Sequence, residues 1–281
     1  MTDTPTLDEK LATLATILTK MESVLVAFSG GVDSTLLLKV AVDTLGPERV
    51  VAFTEDSPLH QSWEMAEAKS LAALIKVRHL LVPADELASA EFAANPPNRC
   101  YLCKSVLYRD CRSLAAELGL KEVVDGSTSD DLGDYRPGRQ ALSELGIRSP
   151  LCEAGLGKAE IRAASRALGL PTWNKQALAC LASRFPYGVE ITRERLRQVE
   201  ACETYLRDLG FTTFRVRYHH EVARIEVAAE DLARIIVPEV RIPLSKFFQQ
   251  AGFTYVTLDL QGFRSGSMND MLHWDSVGLI Q

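Results

Sequence analysis

Runs of apolar residues of strand length alternate with segments of helical periodicity through the first half of the chain. Four apolar runs predict buried strands at residues 24–28, 50–54, 77–82 and 122–125. Apolar positions at helical spacing predict helices at about residues 7–21, 35–46, 61–75 and 101–118. Strands that alternate with helices in this way predict right-handed crossovers and a parallel sheet, which is the α/β class.

The pattern changes after about residue 173. We expect a charged amphipathic helix at residues 192–209, strands at 211–218, 222–227 and 255–260, and short helices at 231–236 and 244–251. These strands are expected to pair antiparallel, with helices on one face of their sheet. The chain is therefore predicted to form a first α/β domain at residues 1–183 and a smaller α+β domain at residues 184–281.

The loop after the first strand has the composition of an anion site. It reads Ser29-Gly30-Gly31-Val32-Asp33-Ser34 and opens an apolar helix. Two glycines let the backbone turn sharply and approach a ligand, and the N–H groups at a helix start attract phosphate. The loop carries Asp33 where a Walker A motif needs a lysine, and it lacks the spacing of a dinucleotide-binding motif. We predict a nucleotide phosphate site made by all six residues; a plain glycine turn is the alternative.

A second polar loop follows the fourth strand and begins at Gly126. Because ligands of parallel sheets collect at the carboxyl ends of strands, we expect this loop to share the phosphate site. Gly126 would let the backbone approach the nucleotide, and Asp130 and Asp131 offer carboxylate oxygens to Mg²⁺. The other nucleotide-binding candidates are Thr54, Arg136 and Lys158. Lys158 lies at a predicted helix start, where its positive charge opposes the helix dipole, and this disfavours a purely structural role. The alternative is a solvated acidic turn.

Three of the six cysteines are candidates for chemistry. Cys100 and Cys103 form a C-x-x-C pair where a loop enters a helix, a position that lowers the pKa of a thiol. Together with Cys180 they could hold a [4Fe–4S] cluster and leave one of its positions open. Spacing alone favours ordinary buried thiols and also leaves zinc and a redox disulfide open. The remaining cysteines are expected to be buried or half-buried structural residues, namely Cys111, Cys152 and Cys202.

Arginines of the second domain form the other candidate site. Arg215 and Arg217 alternate along a strand and share one face, where two guanidinium groups suit a phosphate or a carboxylate. Glu226 lies on the next strand, and Arg264 lies in a Gly/Ser-rich loop that could close over an anion. The alternatives are an exposed face of charges paired across strands and a mobile tail.

Composition and charge narrow the function classes. Apolar residues make up 47% of the chain and charged residues 24%, which is typical of a globular protein. The net charge of −6 argues against broad binding to nucleic acid. The N-terminus lacks a signal-peptide pattern and no apolar run reaches membrane-spanning length, so we expect a cytoplasmic protein with reduced thiols and no membrane contact.

Short motifs with chemical character follow one another along nearly the whole chain. They lie at residues 29–34, 98–104, 134–139, 157–162, 180–188 and 262–266. Together they resemble the LarE family, which is built on the PP-loop of the ATP pyrophosphatases. The resemblance implies an ATP-dependent sulfurtransferase. It would adenylate a carboxylate of pyridinium-3,5-biscarboxylic acid mononucleotide and convert it to a thiocarboxylate, in assembly of the nickel-pincer nucleotide cofactor of lactate racemase.

The resemblance also implies roles for individual residues. The implied catalytic residues are Asp33, Cys180, Glu226 and Arg264, and the implied substrate-binding residues are Arg184, Arg215, Arg217 and Arg264. Some members of the family have one cysteine, which gives up its sulfur. Cys100 and Cys103 make this chain similar to the three-cysteine subgroup instead, in which the thiolates hold a [4Fe–4S] cluster that carries an extra sulfide. The implied cofactors are ATP, Mg²⁺ and that cluster, with Cys180 as its third ligand.

The implied partners are the small nucleotide substrate, ATP, a sulfide donor, other enzymes of nickel-pincer assembly and further copies of the chain in a homo-oligomer. Three alternatives stay open. A PP-loop tRNA thiolase would use similar cysteines, although the acidic net charge disfavours RNA binding. An ammonia-using amide ligase on the same loop would need no cluster. A nucleotide-sensing module would bind ATP without catalysis.

Overall fold

A computed structural model describes residues 5–133, 138–176, 179–264 and 266–269. The chain divides into two compact units. The first is made of Met1–Glu86 and Asn98–Leu178, and the second of Leu87–Pro97 and Ala179–Gln281. The sequence predicts a domain boundary between residues 183 and 184. Whether the two parts fold as separate domains at that boundary stays a prediction.

The first unit contains a four-stranded sheet. Its strands are β1 (Val24–Ala27), β2 (Val50–Asp56), β3 (Arg78–Pro83) and β4 (Glu122–Val124). They pair in the order β3-β2-β1-β4, and every pairing is parallel. The strands read as nearly continuous apolar runs because helices cover both faces of the sheet. The predicted parallel α/β architecture is therefore confirmed.

Within the residues that the structure describes up to Ala167, eight α-helices accompany the strands. They are α1 (Leu7–Met21), α2 (Val32–Leu45), α3 (Ser62–Ile75), α4 (Ala90–Ala93), α5 (Arg99–Glu117), α6 (Gly138–Glu144), α7 (Pro150–Glu153) and α8 (Lys158–Ala167). Of these, α4 belongs to the second unit. Helix α1 begins at a capping box, in which Thr6 and Glu9 satisfy each other's backbone N–H groups.

The sheet of the first unit carries a hydrophobic core on each face. On one face Val24 and Val26 pack in a large cluster with α1, α2 and α8, and on the other Leu25 packs with Phe53 and residues of α5. Leu36, Leu37 and Leu38 of α2 are all fully buried, as expected for a helix that is apolar on every side. The core fixes the first turn of α2. The predicted phosphate site at residues 29–34, called the phosphate loop below, ends in that turn.

The second unit contains a three-stranded sheet. Its elements are α9 (Arg193–Asp208), β5 (Phe214–His219), β6 (Val222–Val227), α10 (Leu232–Ile235), α11 (Pro238–Gln250) and β7 (Tyr255–Leu258). Strands β5 and β6 form the expected antiparallel hairpin, but β7 pairs parallel to β6. The expectation of a wholly antiparallel sheet is thus wrong. Helices α10 and α11 connect β6 to β7. This crossover carries the chain from the end of β6 back to the edge of the sheet where β6 began, so β7 runs parallel to β6.

Helix α11 begins six residues before its predicted start, because Pro238 occupies the first turn, where a missing N–H costs nothing. Pro243 lies inside the same helix. The predicted strand at residues 211–218 begins only at Phe214. Within the described part of the chain, no helix is long and apolar enough to cross a membrane.

Candidate active site

The phosphate loop connects β1 to α2, as the sequence predicts. Gly30 has φ of 69°, a left-handed conformation that favours glycine, and a Cβ at this position would lie 3.3 Å from Ala68 of α3. Gly31 is the N-cap residue of α2, so no side chain caps the first turn there. The hydroxyls of Ser29 and Ser34 lie 3.1 Å apart across the loop. The first turn of α2 therefore presents backbone N–H groups and two hydroxyls to an anion.

Asp33 of this loop forms an ion pair with Lys158 at the start of α8. The Asp33 Oδ1 atom is buried and has no hydrogen-bond partner within the described residues. Burial raises the pKa of Asp33, while the hydrogen bond and charge of Lys158 partly oppose that rise. A buried carboxylate oxygen without a donor, beside a phosphate-type loop, fits a cation that accompanies a nucleotide.

Gly126 brings the second polar loop into contact with the first. A Cβ on Gly126 would lie 3.0 Å from the Ser34 backbone nitrogen and 3.2 Å from its Cα. The neighbours are backbone atoms of α2 and cannot rotate away, so only glycine fits here. Two of the predicted nucleotide-binding segments are therefore brought together at the carboxyl edge of the sheet.

Asp125, which sequence reasoning did not single out, holds the second loop in shape. Its buried carboxylate accepts hydrogen bonds from the Ser127 N–H (3.2 Å) and hydroxyl (2.6 Å), the Ser149 hydroxyl (2.6 Å) and the Tyr108 hydroxyl (3.2 Å). Asp125 ends the fourth predicted strand, and an acidic residue there is the signal that could have identified it. A carboxylate with this many donors fixes the position of Gly126 beside it.

Asp130 accepts a hydrogen bond from the Lys158 backbone N–H at 2.5 Å. Asp130 therefore stabilises the N-terminus of α8. It also lies beside Lys158, which pairs with Asp33 of the phosphate loop. Its role as an Mg²⁺ ligand stays a prediction. Arg136 lies outside the described residues.

Thr54 is committed to the sheet. Its hydroxyl donates to the Phe28 carbonyl at 2.5 Å and lies 2.8 Å from Nε2 of His79. Because the single hydroxyl hydrogen goes to Phe28, His79 is assigned as the donor to Thr54, with its proton on Nε2. The contacts favour a structural role for this hydroxyl, and nucleotide binding by Thr54 stays a prediction.

Cys100 and Cys103 lie near the N-terminus of α5, three residues apart and so on one side of the helix. Cys100 is exposed and Cys103 is half-buried. Among the described residues, no group of three or more His, Cys, Asp or Glu side chains is arranged to hold a metal ion. Cys111 and Cys202 are buried, which raises the pKa of both thiols, and Cys152 is half-buried, so all three match the expectation.

Cys180 lies in the second unit, directly before a tight turn at Leu181–Arg184. The Arg184 guanidinium donates to the carbonyls of Ala179 and Cys180, the latter at 2.8 Å. It also donates through Nε and Nη2 to both carboxylate oxygens of Glu203, at 2.9 Å each. These contacts hold the backbone on either side of the Cys180 peptide.

The Arg184–Glu203 ion pair is completely enclosed, with side-chain exposures of 1% and 0%. Burial alone would raise the pKa of Glu203, but the charge and hydrogen bonds of Arg184 bring it below its ordinary value. The Val216 N–H of β5 also donates to Glu203, at 3.0 Å. This geometry favours a structural role for Arg184, whose assignment as a substrate-binding residue stays a prediction. Sequence reasoning missed Glu203 because a glutamate on a charged helix gives no signal of burial.

Arg217 and Glu226 are brought together by the β5–β6 hairpin. Arg217 donates to Glu226 at 2.7 Å, to the Ser267 hydroxyl at 3.0 Å and to the Ser183 carbonyl at 3.1 Å. Its Nε is buried without a hydrogen-bond partner within the described residues. Arg224 pairs with Glu226 at 3.1 Å and with Asp259. Both predicted residues therefore belong to one buried network of charges.

The other two predicted arginines lie outside that network's centre. Arg215 shares the face of Arg217 on β5, and its guanidinium lies 5.2 Å from the centre of the Phe263 ring. Arg264 is exposed and follows Phe263 in the loop after β7. Roles for both in binding an anionic substrate stay predictions.

A parallel α/β sheet whose first strand ends in the loop Ser29–Ser34 has the architecture of a PP-loop protein, a class that uses ATP and Mg²⁺. The NAD synthase family model matches residues 10–104, which include β1, the phosphate loop, β2 and β3. An uncharacterised protein of Synechocystis sp. is 47% identical over 266 residues, covering 95% of this chain and 99% of that protein.

A second relative is a named enzyme. The pyridinium-3,5-bisthiocarboxylic acid mononucleotide synthase of Lactiplantibacillus plantarum is 44% identical over 267 residues, covering 95% of this chain and 96% of that protein. An uncharacterised protein of Methanocaldococcus jannaschii is 31% identical over 246 residues, covering 88% of this chain and 92% of that protein. The chain belongs to the LarE family, the family of that synthase, so the resemblance drawn from its motifs is confirmed.

Proposed function

We propose that the protein is an ATP-dependent sulfurtransferase that acts on pyridinium-3,5-biscarboxylic acid mononucleotide. It adenylates a substrate carboxylate and converts it to a thiocarboxylate, as a step toward the nickel-pincer nucleotide cofactor of lactate racemase. The observation that carries the proposal is the 44% identity, over 95% of the chain, to the L. plantarum synthase. The phosphate loop and its orphaned Asp33 oxygen support the use of ATP.

The first half of the reaction takes place at the phosphate loop. A substrate carboxylate oxygen attacks the α-phosphorus of ATP, and pyrophosphate leaves. The backbone of Gly30, Gly31 and Val32 and the hydroxyls of Ser29 and Ser34 hold the departing pyrophosphate. Asp33, Asp130 and the backbone at Gly126 would hold Mg²⁺ and the nucleotide, and the ion would neutralise phosphate charge. Lys158 opposes the rise in the pKa of Asp33 that burial causes.

The second half needs an anionic substrate and a sulfur nucleophile. Sulfur adds to the acyl carbon, and AMP leaves with the original carboxylate oxygen. Adenylation is needed because AMP is a far better leaving group than the oxide that a free carboxylate would have to expel. Arg215, Arg217 and Arg264 are proposed to bind the substrate's phosphate and carboxylates. Glu226 is proposed to act at the same site, where it already orients Arg217 at 2.7 Å.

Cys100, Cys103 and Cys180 are proposed to bind a [4Fe–4S] cluster. Thiolate is the donor that such clusters prefer, and the first two thiols lie on one side of α5 near its N-terminus, which favours thiolate. A cluster bound by three cysteines would supply a sulfide at its fourth position. Cys180 is then a cluster ligand and is not consumed, and an external sulfide donor restores the sulfur. We further propose a cytoplasmic homo-oligomer that works with other enzymes of nickel-pincer assembly.

The function is tested by incubating the anaerobically purified protein with Mg·ATP, sulfide and the dicarboxylate mononucleotide. We expect AMP, pyrophosphate and a thiocarboxylate in equal amounts, measured by phosphate release and mass spectrometry. ATP binding without pyrophosphate release would contradict an enzyme, and activation of bulk tRNA or incorporation of ammonia would support the other PP-loop reactions.

The cluster is tested separately by iron and sulfide quantitation and a visible spectrum. Iron should be present in the wild type, lost in Cys100→Ser and retained in Cys152→Ser, a matched control on the same unit. A wild-type protein without iron that still forms thiocarboxylate once per chain would overturn the cluster and favour loss of sulfur from Cys180.

A further inference from the structure

Lys175 contacts the phosphate loop, although nothing in the sequence singles it out. Its ammonium donates to the Gly30 carbonyl at 2.9 Å and to Glu67 Oε2 of α3 at 2.7 Å. The Lys175 side chain is 16% exposed, whereas that of Glu67 is 44% exposed. The contact to the loop is thus the more enclosed of the two.

The turn that carries Lys175 is itself fixed to the nucleotide site. Arg162 of α8 donates to the carbonyls of Trp173 at 3.0 Å and Lys175 at 2.8 Å. Arg162 lies one helical turn after Lys158, which pairs with Asp33. Helix α8 therefore provides one cation for the loop directly and a second that holds Lys175 against it.

The Gly30–Gly31 peptide needs such support. In a trans peptide the C=O of one residue and the N–H of the next point in opposite directions, so holding the Gly30 carbonyl fixes the Gly31 N–H. That N–H donates to Ser29 Oγ at 3.3 Å, within the loop that would hold pyrophosphate. A peptide between two glycines rotates with little steric resistance, because neither neighbour has a Cβ.

We propose that Lys175 is a positioning residue for ATP: it fixes the Gly30–Gly31 peptide so that the first turn of α2 and Ser29 meet the nucleotide phosphates in the right orientation. The proposal rests on the proposed function only in taking ATP as the ligand of the loop. It makes no use of the acceptor or of the sulfur source. Glu67 holds the Lys175 ammonium from the exposed side and, within the described residues, makes no hydrogen bond to the loop.

The test compares Lys175→Met, Lys175→Arg and Glu67→Gln in the full-length protein. In Lys175→Met the Gly31 N–H is no longer held in its orientation toward the phosphates. We expect Mg·ATP affinity or turnover to fall by about tenfold to a hundredfold. Lys175→Arg keeps a donor within reach and should recover most of that loss. Glu67→Gln keeps the bond to Gly30 and should stay within about threefold of wild type.

Mg·ATP binding is measured by calorimetry without acceptor, pyrophosphate release with acceptor, and thermal unfolding for all variants. Wild-type binding and turnover in Lys175→Met would overturn the proposal. An equal loss in Glu67→Gln and Lys175→Met would also overturn it, because the ion pair would then matter and not the loop. If the acceptor proposed above is wrong, the wild type binds Mg·ATP but forms no thiocarboxylate, and the binding comparison still decides the role of Lys175.

Discussion

Lys158 pairs with Asp33 across 125 residues of sequence, and this ion pair joins α8 to the phosphate loop. It satisfies one carboxylate oxygen of Asp33 and leaves the other, Oδ1, buried and unpartnered within the described residues. Asp33 Oδ1 is therefore an oxygen that a bound divalent cation could coordinate. We therefore expect Asp33 to act in cation binding and Lys158 to act through the pKa of Asp33.

Asp33→Asn should abolish pyrophosphate release, by at least about a hundredfold, because an amide cannot neutralise a cation at that position. Its fold should survive, since the amide oxygen can still accept from Lys158. The control is Lys121→Met, which removes an exposed lysine from the same unit. Activity above a tenth of wild type would remove Asp33 from the nucleotide site.

Lys158→Met should shift the acid limb of the activity profile to higher pH. Burial already raises the pKa of Asp33, and Lys158 opposes that rise, so removing the lysine raises the pKa further. A larger fraction of Asp33 is then protonated at any acidic pH. The measurement is kcat/KM for ATP from pH 5 to 9; an unshifted acid limb would show that Asp33 ionisation does not limit the reaction.

Gly126→Ala should weaken Mg·ATP binding and lower stability by about 1–3 kcal/mol, because the added Cβ forces backbone atoms of the two loops apart. Gly119→Ala is the comparison, since that position has φ of 70° but nothing within 4 Å of the added Cβ. It should lose stability through backbone strain and keep its ATP affinity. Equal ATP affinities in the two variants would contradict a contact between the loops.

Glu203→Gln should destabilise the protein by about 3–5 kcal/mol, because it leaves the enclosed Arg184 charge without a counter-ion. In the double variant Arg184→Met with Glu203→Met, no charge is buried and much of that loss should be recovered. The Cys180 backbone is then no longer held, so alkylation of Cys180 by iodoacetamide, followed by mass spectrometry, should change in rate. An unchanged rate would limit the ion pair to stability alone.

Glu55 should make the fold more stable at acidic than at alkaline pH. Burial, with Glu86 and Asp110 nearby, raises its pKa from 4.5 to about 8. Between these values the folded chain holds a proton that the unfolded chain releases, so stability is lost as pH rises from 4.5 to about 8.

Glu55→Gln should remove this dependence, and a tenfold change in the ionisation constant is worth about 1.4 kcal/mol. At pH 9 the variant should be more stable than wild type in urea unfolding, and at pH 4.5 the two should agree. Exposed Glu117→Gln is the control and should follow the wild type at both values. Parallel curves for Glu55→Gln and wild type would contradict the shift.

The sequence was sufficient to predict the first sheet and the two polar loops that meet at its carboxyl edge. Continuous apolar strands allow only a parallel sheet between helices, and parallel strands bring Ser29 and Gly126 to the same edge. It did not predict the direction of β7, because a short half-exposed strand pairs equally well either way until the path of α10 and α11 is known.

Single polar residues were harder to interpret. Arg184 and Thr54 looked available for ligands, yet one is enclosed with Glu203 and the other bonds to the Phe28 carbonyl. Lys175 gave no signal, because its partner Gly30 lies far away in sequence. A local pattern states which residues can make a contact, whereas burial and long-range partners are decided by tertiary packing.

The parallel pairing of β7 has a consequence for the order of folding. The β5–β6 hairpin is local and can form early, but β7 reaches its place only after α10 and α11 have crossed the sheet. Asp259, which pairs with Arg224, directly follows β7. We therefore expect the charge network around Glu226 to be completed last during synthesis, so that a nascent chain assembles its proposed anion site only once its final strand has emerged.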